Sequence, residues 1–110
     1  MRILFDQGTP VPLRSSLRAH DITTAYEHNW ASLTNGDLLS TAEAANFEVL
    51  VTTDKNLRYQ QNLTKRRIAI VVIMTTSWPR IQMALPAIID AIDRVESGGY
   101  VEVAVPWTIT

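Results

Sequence analysis

Five short apolar runs punctuate the chain, and amphipathic or polar stretches separate them. The runs are Ile3–Phe5, Asp21–Ala25, Val49–Val51, Ile68–Met74 and Tyr100–Val105. Val49-Leu50-Val51 is apolar, continuous and rich in strand-favouring valine, the pattern of a strand buried on both faces. Asp21–Ala25 carries Ile22 with the β-branched Thr23 and Thr24. Tyr100–Val105 alternates, which predicts an edge strand with one wet face.

The intervening segments read as helices. Gly8–Pro12 predicts a turn into a helix, with Thr9 as cap, Pro10 in the first turn, and Leu13 and Leu17 on the inner face. Tyr26–Thr34 is irregular, with Tyr26 and Trp30 as apolar anchors. Thr34 and Asp37 have capping-box spacing ahead of a stripe of Leu38, Leu39, Ala42 and Ala45, and Asn46 closes that helix. Asn56–Leu63 predicts a short polar helix. Pro79 opens the longest one, in which Ile81, Leu85, Ile88, Ile89, Ile92 and Val95 keep helical period, Pro86 predicts a kink, and Gly98-Gly99 is the stop. Strands alternating with helices predict a single α/β domain. Its sheet is mainly parallel, of four to five strands, with helices on both faces and right-handed crossovers. The simplest strand order sets the third strand beside the first.

Composition narrows the setting. The 110 residues are 46% apolar and 19% charged, an ordinary globular balance and enough for one core. Net charge is −1, so nucleic acid would have to be attracted by a local patch. There is no cysteine, which excludes disulfides and thiolate metal sites. Met1-Arg2-Ile3-Leu4-Phe5-Asp6 meets charge too early for a signal peptide, and Ile68–Met74 is too short to cross a membrane. The expectation is a soluble, cytoplasmic protein with no membrane partner.

The first and third strands each run into a carboxylate, Asp6 and Asp54. On neighbouring parallel strands, ~4.8 Å apart, they would meet on the carboxyl rim where strand order reverses. Two carboxylates that close repel unless a cation lies between them. Mg²⁺ or Mn²⁺ suits that site, because hard divalent ions take a few carboxylates, keep waters and assist phosphate chemistry. Asp37, opening its helix on the rim side, is the third candidate ligand, and Glu43 a weaker one. Gln7, Thr52, Thr53 and Asn56 are candidates to orient the acids or the metal's waters. Taken singly, an Asp after a strand is more often a turn or cap residue. Lys55, Arg58, Lys65, Arg66 and Arg67 form a candidate basic patch for a polynucleotide backbone, with Tyr59 among them. The alternative for that patch is a solvated face. No phosphate loop, dinucleotide fingerprint or Ser-His-Asp spacing occurs.

Ile3-Leu4-Phe5-Asp6, Asn35-Gly36-Asp37-Leu38-Leu39 and Leu50-Val51-Thr52-Thr53-Asp54 together resemble the short form of the PIN-like superfamily, over about residues 1–75. That resemblance implies a metal-dependent ribonuclease, often the toxin of a toxin–antitoxin pair with a small antitoxin partner. It implies catalytic and metal-binding roles for Asp6, Asp37 and Asp54. Where many relatives carry further acids, this chain has Gln7, Asn56 and Thr75-Thr76-Ser77, which implies weaker metal binding. Two other readings stand beside it. One is a PIN-like module that has kept only protein binding. The other is a receiver-like signalling domain, which also places Asp at strand ends but normally pairs acids after the first strand. The C-terminal third, with the last strand, Pro106 and Trp107, is expected to form a homodimer or antitoxin surface; the alternative is intramolecular, with Trp107 folded back over the core.

Overall fold

A computed structural model describes residues 1–60 and 62–106. Trp107, the expected interface anchor, lies outside the described residues.

The strands are β1 (Arg2–Phe5), β2 (Asp21–Thr24), β3 (Val49–Thr52), β4 (Ala69–Ile73) and β5 (Tyr100–Val103). They form one all-parallel sheet in the order β2-β1-β3-β4-β5. β3 lies beside β1, with Ile3 opposite Val49 and Phe5 opposite Val51.

Alternate residues of each strand enter different cores, because successive side chains point to opposite faces. Ile3, Phe5, Val49, Val51, Val71 and Ile73 pack on one face with Leu13, Leu17, Ile81, Ile88 and Ile92. Leu4, Leu50, Ile70 and Val72 pack on the other with Leu38, Leu39, Ala42, Phe47 and Leu57. Helices therefore cover both faces, and β3 and β4 are buried along their whole length.

The helices refine the sequence expectations. Val11–Leu17 is a 3₁₀ helix, not an α-helix. Thr9 does not cap it; its hydroxyl donates instead to the Val51 carbonyl, 2.9 Å away, and ties the turn to β3. Helix α1 (Asn35–Ala44) starts as expected, the Thr34 hydroxyl accepting from the Asp37 N–H. Asn46 follows in the left-handed region at φ 66°, a conformation asparagine tolerates. Helix α2 (Leu57–Gln60) is one turn long. The long C-terminal helix is broken rather than kinked: α3 (Trp78–Met83) ends at Ala84, and α4 (Leu85–Arg94) begins with Pro86 in its first turn. Proline removes a helical donor and clashes with the preceding turn, so a new helix start suits it better than an interior kink. Tyr26 is no core anchor, being 76% exposed, whereas Trp30 stacks on His28 at 4.4 Å and meets the Phe47 edge. No helix among the described residues is long and apolar enough to cross a membrane.

Candidate active site on the carboxyl rim

The chain leaves β1 toward β2 on one side, while β3 lies on the other. The β1/β3 boundary is thus the switch point, where the crossovers diverge and leave a crevice at the strands' carboxyl ends. Asp6 follows β1 directly, and its N–H donates to the Val51 carbonyl at 3.0 Å, extending the ladder by one residue. Asp54 lies two residues beyond β3.

One hydroxyl joins them. Thr52, the last residue of β3, is fully buried, and its Oγ1 donates to Asp6 Oδ2 at 2.7 Å. The same oxygen accepts from the Asp54 N–H at 3.1 Å. Asp6 Oδ1 accepts from the Gln7 N–H at 2.7 Å. Asp54 Oδ1 accepts from the Asn56 N–H at 2.9 Å, and its Oδ2 from Asn35 Nδ2 at 3.0 Å. Gln7 and Asn56 thus serve through backbone rather than side-chain amides. All of these donors are neutral. Among the described residues neither Asp6 nor Asp54 forms an ion pair. Thr53 borders the pair from a different direction. A Cβ on Gly8 would lie 2.7 Å from Thr53 Oγ1, so the turn after β1 approaches β3 more closely than an alanine permits.

Asp37 is not gathered in. Among the described residues no three His, Asp or Glu side chains come together as metal ligands. Asn35, the first residue of α1, reaches Asp54 instead. At 3.6 residues per turn, two residues later is about 200° around the helix, so Asp37 faces another way and is exposed. Sequence reasoning quoted Asn35 within its motif without assigning it a role; its place one residue after the Thr34 cap was the available signal. Glu43, the weaker ligand candidate, lies at the far end of α1. It accepts from Arg66 Nη1 at 2.9 Å and from the N–H groups of Arg67 and Ile68 at 2.6 and 3.2 Å. Burial works to raise its carboxyl, but those donors outweigh it and hold the group below its ordinary value.

The expected basic patch is divided between the two ends of the sheet. Lys55 is on the rim, in the wall of a cavity of about 420 Å³ with Thr53, Thr75, Thr76 and Arg80. Arg80, which the sequence did not single out, donates to Thr75 Oγ1 and to the Val105 and Pro106 carbonyls at 3.3, 3.1 and 2.8 Å. Arg58 leans along the sheet, over the Tyr59 ring and 3.7 Å from Glu102. Lys65, Arg66 and Arg67 precede β4 and so belong to the opposite, amino end. A second cavity, of about 260 Å³, opens on the other side of Asp6, toward β2.

A scan against protein-family models and searches of curated proteins and of solved structures return no match. The geometry of the rim therefore carries the functional argument.

Proposed function

We propose that this rim is the active site of a metal-dependent ribonuclease of PIN-like type, the toxin of a cytoplasmic toxin–antitoxin pair. The observation that supports it most is the acid pair. Asp6 and Asp54 sit on neighbouring strand ends, share the Thr52 hydroxyl, and are held only by neutral donors. Two half-buried carboxylates so arranged call for a cation. Their donor set suits Mg²⁺ or Mn²⁺, which need only one or two carboxylates and fill the remaining positions with water and substrate oxygens. Bound there by Asp6 and Asp54, such an ion would lower the pKa of a water and offset phosphate charge.

The chain's own groups do the rest. Thr52 and the Gln7 N–H fix the Asp6 carboxylate, while Asn35 and the Asn56 N–H fix that of Asp54. Lys55, next to Asp54 in the chain, and Arg80, in the wall of the same cavity as Lys55, give an incoming phosphodiester a positively charged surface. Hydrolysis adds a water oxygen to phosphorus and breaks a P–O ester bond, and the leaving oxygen takes a proton. A small antitoxin, or a second copy of the chain, would cover the exposed β5 edge and neighbouring α3, where Met83 is 56% exposed.

The test is calorimetric titration with Mg²⁺ and Mn²⁺ beside an RNA cleavage assay. The expected result is binding and cleavage by the native chain, with both lost in Asp54→Asn. A native chain that takes up neither ion ends the nuclease reading and leaves the protein-interaction module. One observation favours a second reading: the order β2-β1-β3-β4-β5 is also that of receiver domains, and Asp54 and Thr75 follow β3 and β4. Stoichiometric phosphorylation of Asp54 by a small phosphodonor would establish it.

A further inference from the structure

The second rim cavity differs in chemistry from the cationic one. The turn after β1 lines it, and Asp6 forms part of its wall, so whatever fills it lies against one member of the acid pair. Val11 and Tyr26 flank it at 55% and 76% exposure. A large side chain left that exposed gains little from folding. Two of them lining one cavity, beside the Asp6 carboxylate, make a place for a flat apolar ligand.

The polar groups of the wall point the same way. Arg14 and Glu27 are paired, the guanidinium donating to Glu27 Oε1. The Thr24 N–H donates to that same oxygen at 3.0 Å. The Arg14 bond is the main reason the Glu27 carboxyl stays below its ordinary value. Glu27 Oε2 accepts nothing among the described residues. Arg14 Nε is a buried donor without a partner among them, and buried donors in folded proteins are almost always satisfied. One open carboxylate oxygen thus belongs to the wall of an apolar cavity lined by a phenol ring, and an unmet donor is buried within the arginine paired with it.

We infer that this cavity is a nucleobase subsite for single-stranded RNA. An unpaired base stacks on Tyr26 against Val11, its edge groups meet Glu27 Oε2 and Arg14, and its phosphate lies at Asp6. Recognition of splayed bases by aromatic rings and arginine planes is the usual mode for single-stranded RNA. The inference rests on the nuclease reading for the phosphate's position, but base binding itself needs neither metal nor catalysis. A strand laid this way crosses the sheet edge from β2 toward β5, with a base on one side of the acids and a phosphate beside Lys55 on the other.

The experiment uses 2-aminopurine riboside and an RNA hexamer carrying one 2-aminopurine, with the full chain and fluorescence as readout. Stacking on tyrosine quenches the probe. The expected result is quenching of both ligands by the native chain and by Asp54→Asn. Tyr26→Ala weakens binding roughly tenfold or more, the size of one base–aromatic stack, while Tyr26→Phe restores it. Tyr26 is exposed enough that its removal leaves the fold intact, checked by an unchanged thermal midpoint. If Tyr26→Ala binds and cleaves RNA like the native chain, the subsite is wrong and the nuclease reading survives. If the riboside is bound but neither ion is, the subsite stands and the nuclease reading fails. If the native chain quenches neither ligand, the inference is overturned.

Discussion

The two ends of the sheet use similar residues to opposite effect. At the amino end acids meet cations: Glu43 with Arg66 at 2.9 Å and Asp21 with Arg2 at 3.4 Å. Glu43 also terminates two backbone N–H groups, so one carboxylate ties the end of α1 to the start of β4. At the carboxyl end Asp6 and Asp54 are oriented as tightly, yet only by a hydroxyl, an amide and backbone N–H groups. For these residues charge is neutralised where it braces the fold and left open at the acid pair; Glu27, paired with Arg14 beside β2, is an exception on the rim. Strongly held acids are thus not all alike, and the charge of the donor separates the two kinds.

The largest expected effect breaks the amino end alone. Glu43→Ala leaves Arg66 without its carboxylate and uncovers the N–H groups of Arg67 and Ile68. With both side chains mostly buried, the loss should be about 3 kcal/mol in urea unfolding, while metal titration at the rim is unchanged. The same residue sets a pH limb. Its folded pKa lies below the ordinary 4.5, so its contribution is complete above that pH and lost as pH falls through the folded value. Glu43→Gln should flatten that acid limb, and a limb that persists would assign it elsewhere.

A smaller effect should come from Gly8→Ala. The new methyl must displace the Thr53 hydroxyl or lift the turn, costing about 1–2 kcal/mol and weakening ion binding at the adjacent Asp54. Stability and ion affinity falling together would show the turn and the site to be one unit. An unchanged ion affinity would separate them.

The smallest effect divides the cations. Lys55→Ala should reduce the slope of log affinity for RNA against log salt by about 0.7, one phosphate contact on a single strand, whereas Lys65→Ala should leave it unchanged. Equal changes for the two would restore a single continuous patch.

The sequence made the sheet legible because burial on both faces demands apolar runs at β1, β3 and β4, and the connections between them leave few orders. It also made Asp6, Thr52 and Asp54 legible, since position relative to a strand end is local. The remainder depended on angle and reach. Whether Asn35 or Asp37 faces Asp54 is decided by the rotation of α1, which capping residues do not fix. Arg66 finds Glu43 across 23 positions, a contact set by how α1 lies on the sheet. Arg80 is at the rim because it lies in the first turn of α3, which follows the carboxyl end of β4, but its reach to the Val105 and Pro106 carbonyls depends on how α3 meets the segment after β5. Tyr26 looked like a core residue by type, and only the course of the turn after β2 leaves it outside.

The Thr52 hydroxyl has a bearing on quality control. It belongs to the strand ladder and to the acid pair at once, so pairing register and site assembly are a single degree of freedom. A slip of β3 by one residue would turn Thr52 to the opposite face and separate Asp6 from Asp54. A chain still emerging, or one whose sheet has mispaired, therefore carries no half-working rim. For a protein whose proposed activity would damage the cell that makes it, the harmful state is reached only by completing the fold, which is also the state a partner can recognise and cap.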